Sequence, residues 1–252
     1  MSRDARPVLA LLAILLLAAA LRFHHLDTQS FWSDEGNSVA MVGRSVTGIF
    51  SRSANDISPP LYYLALDLWG SLVGRSEFAI RALSTLFSLL AVALTAVLGR
   101  RIGGWPVALV AAFASATSPY AIHYAQEARM YGPIAALALG AWYALARLQR
   151  QPTHRGWLLA YLLTALAMLH TQYFTAAVLV GGNLVWLWHG WRRGEFRPAW
   201  PRWIGAQGLV AVLFLPWLVV ALPSILGWPA VSAPLSLDFL LRELARIFSI
   251  GL

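Results

Sequence analysis

Cysteine and lysine are both missing from this 252-residue chain. Without cysteine there is no disulfide framework, no thiol chemistry and no thiolate metal site. Without lysine, all 19 basic side chains are arginine, so an anion can be met only by Arg, His, a backbone amide or a metal. Charge is scarce as a whole: 12% of residues are charged, whereas 59% are hydrophobic. No water-soluble domain of this size needs so much apolar surface, which makes the class an all-α, polytopic membrane protein. There is no internal repeat and no low-complexity linker.

The formal net charge is +8. A basic balance can mark nucleic-acid binding, but here the arginines stand in short clusters between apolar runs. That is the pattern of loops that orient a membrane protein, so no nucleic-acid partner is expected. Seven runs read as spans: Pro7 to Phe23, Phe78 to Gly99, Trp105 to Ser118, Gly132 to Ala146, Trp157 to Leu169, Phe174 to Trp188 and Trp203 to Leu222. Several fall short of the ~20 residues a bilayer needs and should extend into their aromatic flanks. The first run also fits a signal peptide, with Ala18-Ala19-Ala20 as a cleavage site; an uncleaved anchor is the preferred reading. Residues 1–222 are expected to form one transmembrane domain with a first outer loop over 24–76. Within that loop Pro59 to Gly74 reads as an interfacial helix started by Pro59-Pro60. Residues 223–252 read as an outer segment, with an amphipathic piece over 237–250, leading to a missing or absent carboxyl-terminal part.

Charge fixes the expected orientation. One set of loops holds eleven Arg against two acids, the other eight Arg against nine acids. The first set belongs inside, which puts the amino terminus in the cytoplasm of a multi-pass bacterial inner-membrane protein. The carboxylates and histidines then gather outside, and a catalytic site is expected on the extracytoplasmic face.

Phe31-Trp32-Ser33-Asp34-Glu35-Gly36 is the stretch richest in chemistry. Adjacent carboxylates beside a membrane are costly unless solvated, paired or in use. The plain reading makes Asp34 the cap of a short helix with Glu35 in its first turn. Glu127 and Arg129 either pair at a span end or serve chemistry. Arg81 either meets a phosphate or pairs with Glu77. His123 and His170 read as interfacial or hydrogen-bonded more often than as metal ligands. Tyr62, Tyr63, Tyr120, Tyr124 and Trp32 read as belt aromatics, some of which could stack on a sugar. A divalent metal is allowed by residue type at Asp34 and Glu127, and no spacing demands one.

Four segments together resemble a family: Trp32-Ser33-Asp34-Glu35, Ser58-Pro59-Pro60-Leu61-Tyr62-Tyr63, Ser76-Glu77-Phe78-Ala79-Ile80-Arg81 and Gln126-Glu127-Ala128-Arg129-Met130-Tyr131. They look like the glycosyltransferase family 39 membrane proteins, which are similar to protein O-mannosyltransferases and to the aminoarabinose transferases that modify lipid A. The resemblance implies a GT-C fold, a polyprenyl-phosphate-linked sugar donor, and an extracytoplasmic protein, lipid or glycan acceptor. It implies Asp34 as the catalytic acid and Glu127 as the second-loop acid; Glu35, beside Asp34, is a further catalytic candidate. Arg129, Arg81, Tyr62, Tyr63, Tyr124, His170 and Tyr173 are the expected donor phosphate and sugar contacts. Ser58 and Gln172 stand where many members carry a basic residue or His. Members are usually far longer, so the chain reads as a truncated one. The rival readings are a transporter or flippase of lipid-linked substrates, which would place charges in the middle of spans, and an inactive scaffold.

Overall fold

The computed structural model describes residues 5–193 and 196–227 and scattered positions between 236 and 246. The amphipathic piece expected over 237–250, and with it most of 223–252, lies outside any described element. Among the described residues every regular element is a helix. In chain order these are α1 (Ala5–Phe23), α2 (Ser33–Val39), α3 (Val46–Ala54), α4 (Leu61–Val73) and α5 (Glu77–Thr117), then α6 (Pro119–Ala125), α7 (Tyr131–Arg150), α8 (Arg155–Leu169), α9 (Thr175–Arg193) and α10 (Phe196–Gly227). Helices α1 and α5 and residues 200–227 of α10 are long and apolar enough to cross a bilayer.

The chain divides into two compact units. One holds residues 1–43 and 66–133, with the terminal segment from 228; the other holds 44–65 and 134–227. Helix α4 starts in the second and continues into the first.

In the first unit, α5 is a hairpin. Its backbone leaves helical geometry at Gly103 and Gly104, where Gly104 has φ 72°. Only glycine enters that left-handed region without a Cβ penalty. Pro106 then opens the second half, in the first turn where a missing N–H costs nothing. Gly99 lets the halves touch: a Cβ there would lie 3.0 Å from the Ala108 Cα. Helix α1 packs on the hairpin through Ala18, Val92, Ala96, Ala112 and Ala116, all buried. Small residues permit this approach where lipid gives no hydrophobic drive between helices.

Arg22, at the end of α1, is fully buried. Its Nε donates to Ser88 Oγ at 2.9 Å, Nη1 to Ala116 O at 2.8 Å and Nη2 to Ser115 O at 2.9 Å. One guanidinium thus binds α1 to both halves of α5. It also meets last-turn carbonyls, where a cation is favoured by the helix dipole.

The second unit packs α7, α8, α9 and α10 around Ala144, Leu145, Tyr161, Ala165, Leu179 and Trp186. Inside this apolar bundle lies a polar cluster. Asn183 Nδ2 donates to the Tyr161 hydroxyl at 3.0 Å and to Leu179 O at 2.7 Å. Trp203 Nε1 donates to Asn183 Oδ1 at 2.7 Å, and Gln207 Nε2 to the Tyr161 hydroxyl at 2.9 Å. Such bonds fix which faces of α8, α9 and α10 meet.

Arg22→Met removes the clamp and leaves two carbonyls and a hydroxyl without donors. At about 1–3 kcal/mol for each buried group left unsatisfied, the thermal midpoint of the detergent-purified chain is expected to fall by several degrees. Unfolding followed by intrinsic tryptophan fluorescence checks this; an unshifted midpoint would mean that Arg22 fastens nothing.

Candidate functional site

The site is built in the first unit, around the first turn of α2. Trp32 is extended (φ −82°, ψ 173°) and is the residue at which α2 starts; no side chain caps that end. Asp34 therefore is not the cap, contrary to the plain expectation from sequence. It lies inside the first turn together with Glu35. Glu35 reaches back to accept the Trp32 N–H at 3.3 Å, which is the carboxylate half of a capping box.

Glu35 does much more than that. It is 1% exposed. Its Oε1 accepts from Arg81 Nε at 2.8 Å and from the Ala128 N–H at 2.7 Å; Oε2 accepts from Arg81 Nη2 at 2.7 Å. Arg81 thus pairs with Glu35 rather than with Glu77, the partner considered from sequence. Its remaining N–H groups go to carbonyls of the loop before α2: Nη1 to Leu26 O and Gln29 O, each at 2.8 Å, and Nη2 to Ser30 O at 3.3 Å. All five guanidinium donors are engaged. In this arrangement Arg81 has none to offer a phosphate.

The segment between α6 and α7 is fastened from three sides. Ser84 Oγ donates to Arg129 O at 2.6 Å and Thr85 Oγ1 to Ala125 O at 2.9 Å. Gln126 Nε2 donates to His24 O at 2.8 Å, just past the end of α1. Ala128 is held by Glu35. Gly132 passes so near α5 that a Cβ would lie 2.3 Å from Ser84 O. Arg81, Ser84, Thr85 and Ser88 recur at helical spacing on α5, and all four are buried. Sequence reading missed this stripe apart from Arg81. Polar residues at i, i+3, i+4 and i+7 inside an apolar run were the available signal.

What this frame holds up is a set of charges. Arg129 Nη2 lies 3.5 Å from Asp34 Oδ2, and Nη1 donates to Asp34 O at 3.4 Å. The Asp34 side chain is 44% exposed. Glu127 does not pair with Arg129. Its Oε1 lies 3.2 Å from His123 Nε2, while Oε2 is buried without a hydrogen-bond partner. Burial pushes the Glu127 carboxyl up; His123 and Arg129 oppose this, and Glu35 and Asp34 add to it. For Glu35 burial would also raise the pKa. The hydrogen bonds from Arg81, Ala128 and Trp32, with the Arg81 charge, outweigh it and hold the carboxyl below its usual range.

A cavity of about 780 Å³ opens beside Glu35, Arg81, His123 and Glu127, with His24, His25, Gln29 and Trp32 also among its walls; Asp34 and Arg129 do not line it. Tyr124 packs edge-on between Tyr120 (4.7 Å) and Tyr131 (4.5 Å), and burial pushes its hydroxyl up. Among the described residues no three His, Asp or Glu side chains gather as metal ligands, so Asp34 and Glu127 have no third partner of that kind.

The other expected contacts belong to the second unit. Tyr62 and Tyr63 are buried, with their rings edge-on at 5.8 Å, and present no belt surface. His170 closes α8: its Nδ1 lies 2.9 Å from Leu166 O, and its carbonyl accepts the Leu61 N–H at 2.9 Å. The Tyr173 hydroxyl accepts from Trp217 Nε1 at 3.0 Å.

Glu35→Gln strips the charge that Arg81 balances. Breaking a buried pair by removing one partner costs about 3–5 kcal/mol, so this substitution is expected to destabilise the chain strongly. The depressed Glu35 pKa gives the sign with pH. Its contribution is complete above about pH 4.3, the unfolded value, and is lost as pH falls through the lower folded value. An acid titration of the thermal midpoint should show this limb in the parent and a flattened limb in the variant. Equal limbs would show that the pair is not a source of stability.

The fold has a counterpart among solved structures. The chain superposes with a TM-score of 0.65 and 16% identity on the S. cerevisiae protein O-mannosyltransferase Pmt1-Pmt2 complex bound to the sugar donor. The match covers 89% of this chain and 35% of that one, so the chain spans about a third of its length. No curated protein sequence matches. The family model described as dolichyl-phosphate-mannose-protein mannosyltransferase matches residues 58–219. With more than half of its length under that model and the GT-C arrangement of helices, the chain belongs to this glycosyltransferase family.

Proposed function

We propose that the chain is the membrane domain of a glycosyltransferase that moves a sugar from a polyprenyl-phosphate donor to a hydroxyl acceptor on the extracytoplasmic face of a bacterial inner membrane. One observation carries the reading: a half-exposed carboxylate, Asp34, stands beside a guanidinium, Arg129, on a frame held by the buried Glu35–Arg81 pair. A base and a cation side by side are what this reaction requires of a protein.

The chemistry is a single displacement. The Asp34 carboxylate takes the proton of the acceptor hydroxyl as its oxygen bonds to the anomeric carbon. The bond from that carbon to the phosphate oxygen breaks on the opposite face, and the phosphate departs with the electron pair. Attack from one face and departure from the other invert the centre. The leaving group is already a stable anion and needs no general acid; a cation lowers the cost of its charge, and Arg129 is assigned that role. Glu127, raised in pKa and with one oxygen unpartnered, is assigned to a hydroxyl of the sugar or acceptor. Glu35 and Arg81 are assigned to positioning, because their polar atoms are taken up by each other and by backbone groups.

The transporter reading is disfavoured by how the helix-borne charges are held. Arg22 and Arg81 sit near helix ends and are tied by fixed bonds to carbonyls, hydroxyls and Glu35, so neither is placed to hand a substrate along a pathway.

Asp34→Asn keeps the size and helix position and removes the basic oxygen. Transfer is expected to fall about 10²-fold or more, with donor still bound; release of polyprenyl phosphate in a membrane assay measures it, and near-normal release sinks Asp34 as the base. Arg129→Gln should weaken donor binding more than acceptor binding. If donor affinity measured by equilibrium binding is unchanged, the Asp34–Arg129 contact is only an ion pair.

A further inference from the structure

The second unit has an end where α7 and α9 finish and α8 begins, and the described residues there carry arginine and tryptophan but no carboxylate. Arg147 lies 4.9 Å from the Trp157 ring centre and Arg192 lies 4.6 Å from that of Trp188. Contacts of this kind use the flat face of a guanidinium and can leave N–H edges for an anion; Arg147 also donates from Nη2 to Gln151 Oε1 at 3.2 Å.

Between α7 and α9 runs a slot of about 150 Å³, walled by Trp142, Leu145 and Ala146 on one side and Gly182, Val185 and Trp186 on the other. Gln149 and His189 stand at its polar end. The slot depends on a missing side chain: a Cβ at Gly182 would lie 2.4 Å from Trp142 Nε1. Trp142 and Val185 are exposed, so the slot opens outward from the bundle. Arg150 follows Ala146 by four residues, and Arg192 follows His189 by three. Both therefore lie on the slot's face about one turn further along. Both are exposed.

An apolar slot that opens sideways, with two arginines one helical turn beyond its polar end, matches one kind of membrane molecule. We propose that it seats an acyl chain of an anionic phospholipid, whose phosphate is held by Arg150 and Arg192. A zwitterionic lipid would bring its own cation against these arginines. Free phosphate would leave the apolar slot unused. The tryptophans around this end suit the headgroup level, where amphipathic rings are favoured.

The test uses the full chain purified in detergent. It is titrated with dioleoylphosphatidylglycerol, with dioleoylphosphatidylcholine and with inorganic phosphate, and bound adducts are counted by native mass spectrometry. Phosphatidylglycerol is expected to be retained about tenfold more tightly than phosphatidylcholine, with no phosphate adduct. The double variant Arg150→Gln, Arg192→Gln should lose about tenfold or more in phosphatidylglycerol retention, since each arginine near a headgroup contributes about fivefold. Ala146→Phe fills the slot and keeps every charge; it should lose retention to a similar degree, which diffuse attraction to a basic patch would not. Val185→Trp, at an exposed position, replaces it if Ala146→Phe fails to fold. Equal retention of the two lipids, phosphate bound as well as phosphatidylglycerol, or undiminished retention in either the charge or the slot variant would overturn the proposal.

Discussion

The bidentate bond between Glu35 and Arg81 is the constraint on which the first unit depends. Removing two charges from water costs several kcal/mol per ion, and attraction alone often fails to offset it. Here the remainder comes from saturation. Both Glu35 oxygens accept two bonds each, and all five Arg81 donors are used. The partners come from the loop after α1, the start of α2, the body of α5 and the segment before α7. Four stretches far apart in sequence are therefore fixed by one ion pair, and Asp34 and Arg129 meet because they adjoin residues that the pair holds.

Helix α5 extends that arrangement. Below Arg81, Ser84 and Thr85 hold the backbone of the 125–129 segment, and Ser88 receives Arg22. One buried polar stripe thus serves the site at its upper end and the helix packing at its lower end. Hydroxyls and carbonyls do most of the joining, and the one carboxylate tied to the stripe, Glu35, has its pKa held below the usual range.

Much of this was legible in the sequence, and the misses share a cause. The seven apolar runs each fall within a helix, to within one residue at their ends, because long hydrophobic stretches report helices directly. The break after Gly99 was visible through the Arg100-Arg101 pair, and the helix begun at Pro59-Pro60 through its prolines. The richness of Phe31 to Gly36 was visible through its adjacent acids. Partnership was not. Glu77 is one turn from Arg81 and looked the natural mate, but the true one is 46 residues away. For Glu127 and Arg129, pairing with each other was one of two readings; each instead faces a different partner. Tyr62 and Tyr63 looked like interface aromatics, since hydropathy cannot tell a ring buried in protein from one in the headgroup layer. Nor can it reveal that residues 44–65 fold with a region starting at 134. Local pattern gives elements, whereas long-range pairing gives sites.

The clamp around Arg22 carries a consequence for how the chain is made. Its partners Ser88 and Ala116 lie 66 and 94 residues further along the chain. A ribosome delivers Arg22 long before either of them, so the guanidinium must first reside in the membrane without the bonds that later satisfy it. Its place at the last turn of α1 makes this bearable, because a long side chain there can reach the aqueous boundary. The bonds that satisfy the arginine can all form only after residue 116 has been made, so the clamp joins α1 to a hairpin and not to its first half alone.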